Sequence, residues 1–135
     1  MNDFFTEVMI VDDDPSVLFL HKIIIKTGNL HPAPITFSDP ELAFAHILSK
    51  DLSNQRLLIF LDINMPKMNG WELLAKMESK VKLADIKVIM VTSSLDKADR
   101  HKAQANQFVL DFWEKPLDDL NVAQLKSNLG NWISY

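Results

Sequence analysis

A three-layer α/β fold, with one parallel sheet between two layers of helix, is the architecture this sequence predicts, and three observations predict it. Five short apolar runs alternate with five longer segments of helical period, the pattern of strands joined by crossover helices. The first, third and fourth runs are almost wholly apolar, as strands buried on both faces must be. Two Asp-Pro pairs stand where helices should begin, each an N-cap acid followed by a proline whose missing N–H costs nothing at the first helical position.

Taken in order, the first strand is expected over Val8 to Val11, and Asp14 before Pro15 opens a helix with Val17, Leu20 and Ile24 as its apolar stripe. The second strand, Ile35 to Phe37, follows Pro34, which is tolerated at a strand's start or a sheet edge, so this strand is placed at an edge. Asp39 before Pro40 starts the second helix, striped by Phe44, Ile47 and Leu48. Leu57 to Leu61 is the third strand, and Leu73, Leu74, Met77 and Val81 mark the third helix. Val88 to Val91 is the fourth strand. The fourth helix, Leu95 to Asn106, has only Leu95, Ala98, Ala103 and Ala105 for apolar character, so it should be held weakly and move easily. Phe108 to Phe112 is the fifth strand, and Val122, Leu125 and Leu129 the core face of a fifth helix that Gly130 should stop. Beyond it, Trp132 in the segment from Asn131 to Tyr135 either folds back on the core or forms a small contact patch for a partner.

Composition narrows the classes of function. The 135 residues read as one domain, 1–135 with a core from about 7 to 130, because no Gly-, Ser- or Pro-rich linker divides them. Apolar residues make up 47% and charged residues 24%, the balance of an ordinary globular protein. No apolar run approaches the roughly 20 residues of a spanning helix, and Met1-Asn2-Asp3 is no signal peptide, so a cytoplasmic location without membrane attachment is expected. The absence of cysteine excludes disulfides, thiolate catalysis and Cys-type zinc sites. Net charge is -4 with scattered Lys and Arg, which offers no face for nucleic acid. His21, His31, His46 and His101 lack the close spacing of a metal pair and are expected at surface or packing positions.

Ligands of an open parallel sheet bind outside the carboxyl ends of its strands. Asp12 and Asp13 follow the first strand, Asp62 the third, Thr92 the fourth and Lys115 the fifth, so separate stretches of chain aim polar groups at one edge. Three carboxylates in one pocket repel one another unless a cation neutralises them or one takes a proton. All-oxygen ligands favour a hard ion such as Mg2+, and three carboxylates, one Mg2+ and one ammonium are together neutral. Such a site is poised to accept a phosphoryl group on one carboxylate. Asp14 reads as a helix cap, and any one of Asp62, Thr92 or Lys115 alone would be an ordinary turn or surface residue; it is their joint pattern that points to chemistry.

The runs Val11-Asp12-Asp13-Asp14-Pro15, Leu61-Asp62-Ile63-Asn64-Met65-Pro66 with Met68-Asn69-Gly70, Val91-Thr92-Ser93 and Lys115-Pro116 resemble, in order and spacing, the receiver domains of response regulators in two-component signalling. The resemblance covers about residues 7 to 130, and the stretch from Asp62 to Gly70 is its most specific part. It implies a flavodoxin-like, doubly wound sheet of order 2-1-3-4-5. It implies that Asp62 accepts phosphate from a histidine kinase or a histidine phosphotransfer protein. It also implies that Asp13, Asp62 and the backbone carbonyl of Asn64 hold Mg2+, with Asp12 acting through a coordinated water. Thr92 would hydrogen-bond the phosphoryl group and Lys115 pair with it. Thr92 and the aromatic Phe112 would form the switch that alters the face made by the fourth helix, fifth strand and fifth helix, where a protein target docks. Lys115-Pro116 would be cis. Such a domain is a switch with self-catalysed phosphorylation and dephosphorylation rather than an enzyme, a monomer or weak dimer, and no effector domain is expected.

Some features depart from the commonest pattern. Asn106-Gln107 lacks the usual glycine, Trp113-Glu114 puts a bulky ring and an acid before Lys115, and Phe112 has no hydroxyl. Asn64 and Ser94 occupy the positions that tune phosphate lifetime in this family, and their polarity implies an acyl phosphate that decays rather than persists. Two other readings stay open at this point. Asp12-Asp13-Asp14-Pro15-Ser16 also resembles the start of haloacid-dehalogenase-type phosphatases, although that leaves Asp62 to Pro66 unexplained. A receiver-like interaction module that does not use phosphate is the other, although it would have little need of a costly acidic pocket.

Overall fold

The computed structural model describes residues 4–93 and 96–133. Five parallel strands, β1 (Phe5–Val11), β2 (Ile35–Phe37), β3 (Gln55–Asp62), β4 (Asp85–Thr92) and β5 (Val109–Glu114), lie in the order β2-β1-β3-β4-β5. The crossovers are α1 (Pro15–Thr27), α2 (Pro40–Ser49), α3 (Gly70–Lys80) and α4 (Lys97–Ala105), and α5 (Asp119–Leu129) follows the last strand before a 3-10 turn over Gly130–Ile133. This is the flavodoxin-like doubly wound fold, with β2 at an edge as its proline predicts. Among the described residues no helix is long and apolar enough to cross a membrane.

Alternation along the strands divides the core in two. Met9 and Val11, Leu57, Ile59 and Leu61, Val88 and Met90, and Phe112 face the layer that carries α2, α3 and α4. Their neighbours Val8 and Ile10, Leu58 and Phe60, Ile89 and Val91, and Trp113 face α1 and α5. Residues 57–61 are all at most 1% exposed, which is why that run is apolar at every position.

The two Asp-Pro helix starts are read correctly from sequence. Asp14 accepts from the Ser16 N–H and Asp39 from the Glu41 N–H, each 2.9 Å away, with proline at the first helical position of both helices. α3 opens with a capping box, in which Asn69 and Glu72 each accept the other's backbone N–H. Gly130 takes φ 52°, a conformation that favours glycine, and ends α5.

Several boundaries and faces differ from expectation. In α1 the buried stripe is Leu18, His21 and Ile25; Val17 and Ile24 only flank it, and Leu20 is exposed. Apolar residues crowd several faces of this helix and admit more than one stripe, and a histidine in the true one conceals it. In α2 Ala43 and Ile47 are buried while Leu48 is exposed. β5 begins one residue late and runs through Glu114, and its register against β4 slips between Val88 and Ile89, leaving Leu110 unpaired and exposed. Leu95 lies outside the described residues. α4 starts after Asp96, which caps the Ala98 N–H, and buries only Ala103, with Ala98 and Ala105 exposed.

Trp132 folds back rather than standing out as a patch. Its indole N–H donates to Asp85 at 2.8 Å, and the Arg56 guanidinium lies 3.9 Å from the Phe4 ring centroid and 5.9 Å from that of Trp132. Ser134 and Tyr135 lie outside the described residues.

Candidate functional site

The strand order reverses between β1 and β3, so the crossovers leave on opposite faces and a crevice opens at the carboxyl ends of these strands. Val11 pairs with Leu61, Asp62 with Val91 and Thr92 with Glu114, so the register sets the ends of β1, β3, β4 and β5 level. Asp12 leaves β1 with its N–H on the Phe37 carbonyl at 3.1 Å. Asp62 ends β3, and both side chains are buried, at 2% and 3% exposure. Asp13 is exposed at the mouth.

Carboxylate oxygens of Asp12, Asp13 and Asp62 all lie within 4.8 Å of one another. The Lys115 ammonium bridges two of them, 2.6 Å from Asp12 Oδ2 and 3.2 Å from Asp62 Oδ1. Backbone donors complete the pocket: the Asp14 N–H reaches Asp12 Oδ1 at 2.9 Å and the Asn64 N–H reaches Asp62 Oδ1 at 3.3 Å. The structure therefore brings together Asp12, Asp13, Asp62 and Lys115, and Asn64 joins them through its backbone N–H. Thr92 is buried at the end of β4, and its carbonyl accepts the Lys115 N–H at 2.7 Å. Phe112 sits apart from the acids, packed in the core layer with Met90 and Ala103 and capped by Arg100, whose guanidinium lies 5.6 Å from its ring centroid. Lys115-Pro116 is cis. Ser94 lies outside the described residues.

Electrostatics follows from this geometry. Burial, and then the charge of Asp12, push the Asp62 carboxyl up to about 6, against the pull of Lys115 and the Asn64 N–H. Burial acts to lower Lys115, yet its bonds to Asp12 and Asp62 outweigh it and hold the ammonium above its ordinary value. A third, positive partner of higher charge would relieve the remaining repulsion. The donor set is all oxygen, hard and partly open to water at Asp13, and fits a hydrated divalent cation such as Mg2+ better than a soft metal.

Gly70 shows why α3 starts where it does. A Cβ there would stand 2.6 Å from the Asp62 carbonyl oxygen, so only glycine lets the helix close against the acceptor strand, its N–H on the Ile63 carbonyl at 2.9 Å. Two residues that sequence reasoning did not assign to the site adjoin it. His21, in the buried stripe of α1, accepts the Leu117 N–H on Nε2 at 3.3 Å. Burial, with Lys115 adding to it against Asp12, lowers the imidazole to about 4. Trp71, beside Gly70, donates its indole N–H to Asp99 of α4 at 2.9 Å. Nothing in their spacing announces either contact, since both depend on which helix faces meet.

Comparison with known proteins agrees with this geometry. The family model of the response regulator receiver domain matches residues 8–125. The chain is 33% identical over 123 residues to the two-component response regulator ARR22 of Arabidopsis thaliana, covering 90% of this chain and 82% of that protein. It is 32% identical over 127 residues to the transcriptional regulatory protein HptR of Staphylococcus aureus, but those cover 94% of this chain and only 46% of HptR, so it spans less than half of that relative. A two-component response regulator from Cytophaga hutchinsonii superposes with a TM-score of 0.77 at 28% identity, over 96% of this chain and 97% of the other. The haloacid-dehalogenase reading has no part in these matches. With a family model across most of its length and a like fold around the acidic crevice, the chain belongs to the response regulator receiver domain family.

Proposed function

We propose that this domain is a phosphorylation switch in which Asp62 accepts a phosphoryl group from a histidine kinase or a histidine phosphotransfer protein. The observation that carries the reading is the buried Asp62 carboxylate, paired with Lys115 and set beside Asp12 at the carboxyl edge of the sheet. An Asp62 oxygen forms the new O–P bond as the P–N bond to the donor imidazole breaks, and the electron pair returns to the ring nitrogen. Lys115 stays close to both carboxylates and meets the charge of the incoming oxygens. Asp12, Asp13 and Asp62 would hold Mg2+, with the Asn64 carbonyl as a further ligand. When bound, the ion offsets the charge that gathers on the phosphoryl oxygens.

Thr92 then donates its hydroxyl to a phosphoryl oxygen, and Phe112 follows, changing the face of α4, β5 and α5 that a target protein reads. Arg100 over Phe112 and the single buried residue of α4 support this direction of change, because little apolar area opposes it. Release is by water attacking phosphorus, and the exposed, polar Asn64 leaves room for it, so the acyl phosphate decays. The domain turns over no external substrate beyond its own phosphorylation cycle, and works in the cytoplasm as a monomer or weak dimer without nucleic acid.

The test is intact mass with and without acetyl phosphate and Mg2+, on the natural sequence and on Asp62→Asn. A metal-dependent gain of one phosphoryl group that Asp62→Asn abolishes is the expected result. No gain under any condition would leave an interaction module that does not use phosphate.

A further inference from the structure

Lys115 owes its position to a segment with few ways to be held. Of the three residues Lys115-Pro116-Leu117, proline has no N–H, so the backbone offers two donors. The Lys115 N–H is taken by the Thr92 carbonyl at 2.7 Å and the Leu117 N–H by His21 Nε2 at 3.3 Å. His21 is 2% exposed and Leu117 equally so, and the two are 96 positions apart, so this bond joins α1 directly to the loop that carries the ammonium. A buried N–H left without an acceptor is costly, and the loop would move to find one.

We infer that His21 is a positioning residue for phosphoryl transfer: by accepting the Leu117 N–H at one end of a segment whose other end is held by Thr92, it fixes the loop that aims Lys115 at Asp12 and Asp62. His21 stands between Leu18 and Ile25 in the buried stripe of α1, and those two share a core layer with Leu117 and Val122, so the acceptor is presented by a packed helix rather than a loop. His21 touches neither phosphoryl group nor metal in this role. Its effect passes wholly through Lys115. The inference rests on Asp62 phosphorylation as proposed above.

The experiment measures phosphorylation rate and half-saturating Mg2+ with acetyl phosphate, for His21→Leu and His21→Gln, each alone and in a Lys115→Ala background. Gln offers an oxygen near the place of Nε2, whereas Leu fills the space without an acceptor. His21→Leu is expected to slow phosphorylation about tenfold with half-saturating Mg2+ unchanged, and His21→Gln to restore most of the rate. In the Lys115→Ala background both substitutions should be silent, since the group they position is gone. Should His21→Leu fail to fold, His21→Asn, too short to reach the Leu117 N–H, takes its place. Equal loss with and without Lys115, no rescue by Gln, or rates matching the natural protein would each overturn the inference. A natural protein that is not phosphorylated at all would instead overturn the function on which it rests.

Discussion

At the scale of single residues, Asp62 carries a cost that can be measured. Its folded pKa of about 6 lies above the usual carboxylate value of about 3.9, so between those two pH values the folded chain binds more protons than the unfolded one. Stability from this group is therefore present below about pH 4 and lost as pH rises through 6. His21 has the opposite sign: held near 4 against an ordinary 6.5, it binds less proton when folded, and stability falls as pH drops through that window. Asp62→Asn removes the first contribution and keeps the second. In metal-free buffer at pH 7 it should be more stable than the natural protein by up to about 3 kcal/mol, with the difference vanishing towards pH 4. Urea unfolding of both proteins from pH 4 to 8 checks this, and subtraction cancels His21. A stability difference between Asp62→Asn and the natural protein that is no larger at pH 7 than at pH 4 would mean that burial and Asp12 do not raise Asp62. Asp12, Asp13, Asp62, Thr92 and Lys115 could be placed from sequence because each ends a strand or follows one, and topology does the rest. His21 could not, because its partner lies at the far end of the chain and a lone histidine in an apolar helix reads only as an ordinary surface or packing residue.

Among the elements, α4 is the least anchored. Only Ala103 is buried, and polar contacts tie the helix down: Trp71 to Asp99, Glu78 to Asn106, and Arg100 over Phe112. Trp71 follows Gly70 directly, so the first of these ties α4 to the first turn of α3, where that helix closes against the end of β3. Trp71→Phe keeps an aromatic ring against the core and removes the indole N–H, at a cost of about 1 kcal/mol. Amide exchange across 97–105 should then quicken about fivefold while β1 and β3 keep their protection. Unchanged exchange in α4 would transfer the anchoring to the other two contacts. The weakness of this helix was legible from its composition alone. Its polar ties were not, since helix propensity and apolar period say nothing about which side chains meet between neighbouring helices. The β5 bulge escaped for a related reason: its apolar pattern is consistent with an unbroken strand, and only pairing with β4 shows the slip at Leu110.

The molecule as a whole has two working ends. The carboxyl edge of the sheet gathers charge, and the amino edge is closed by Arg56 between the rings of Phe4 and Trp132, with Lys87 5.2 Å from the latter's centroid. Arg56 also donates to the Asn131 and Trp132 carbonyls, at 3.4 and 3.3 Å. The central strands β1 and β3 between these ends are paired residue by residue and buried over 8–11 and 57–61, and a packed core of this kind transmits little when one rim is loosened. Stability and phosphoryl chemistry should therefore separate by position. Trp132→Ala removes the indole's contacts with Arg56 and Lys87 and its bond to Asp85, and should cost roughly 2 kcal/mol, a fall in Tm of roughly 6 °C. The rate of phosphorylation by acetyl phosphate, taken well below the transition, should stay within about twofold, because no residue of the acidic crevice touches this cap. Thermal unfolding and intact mass on the same sample give both numbers. A phosphorylation rate that fell in step with Tm, in protein still fully folded, would show that the amino edge sets the register of β3 and β4 and so the aim of Asp62.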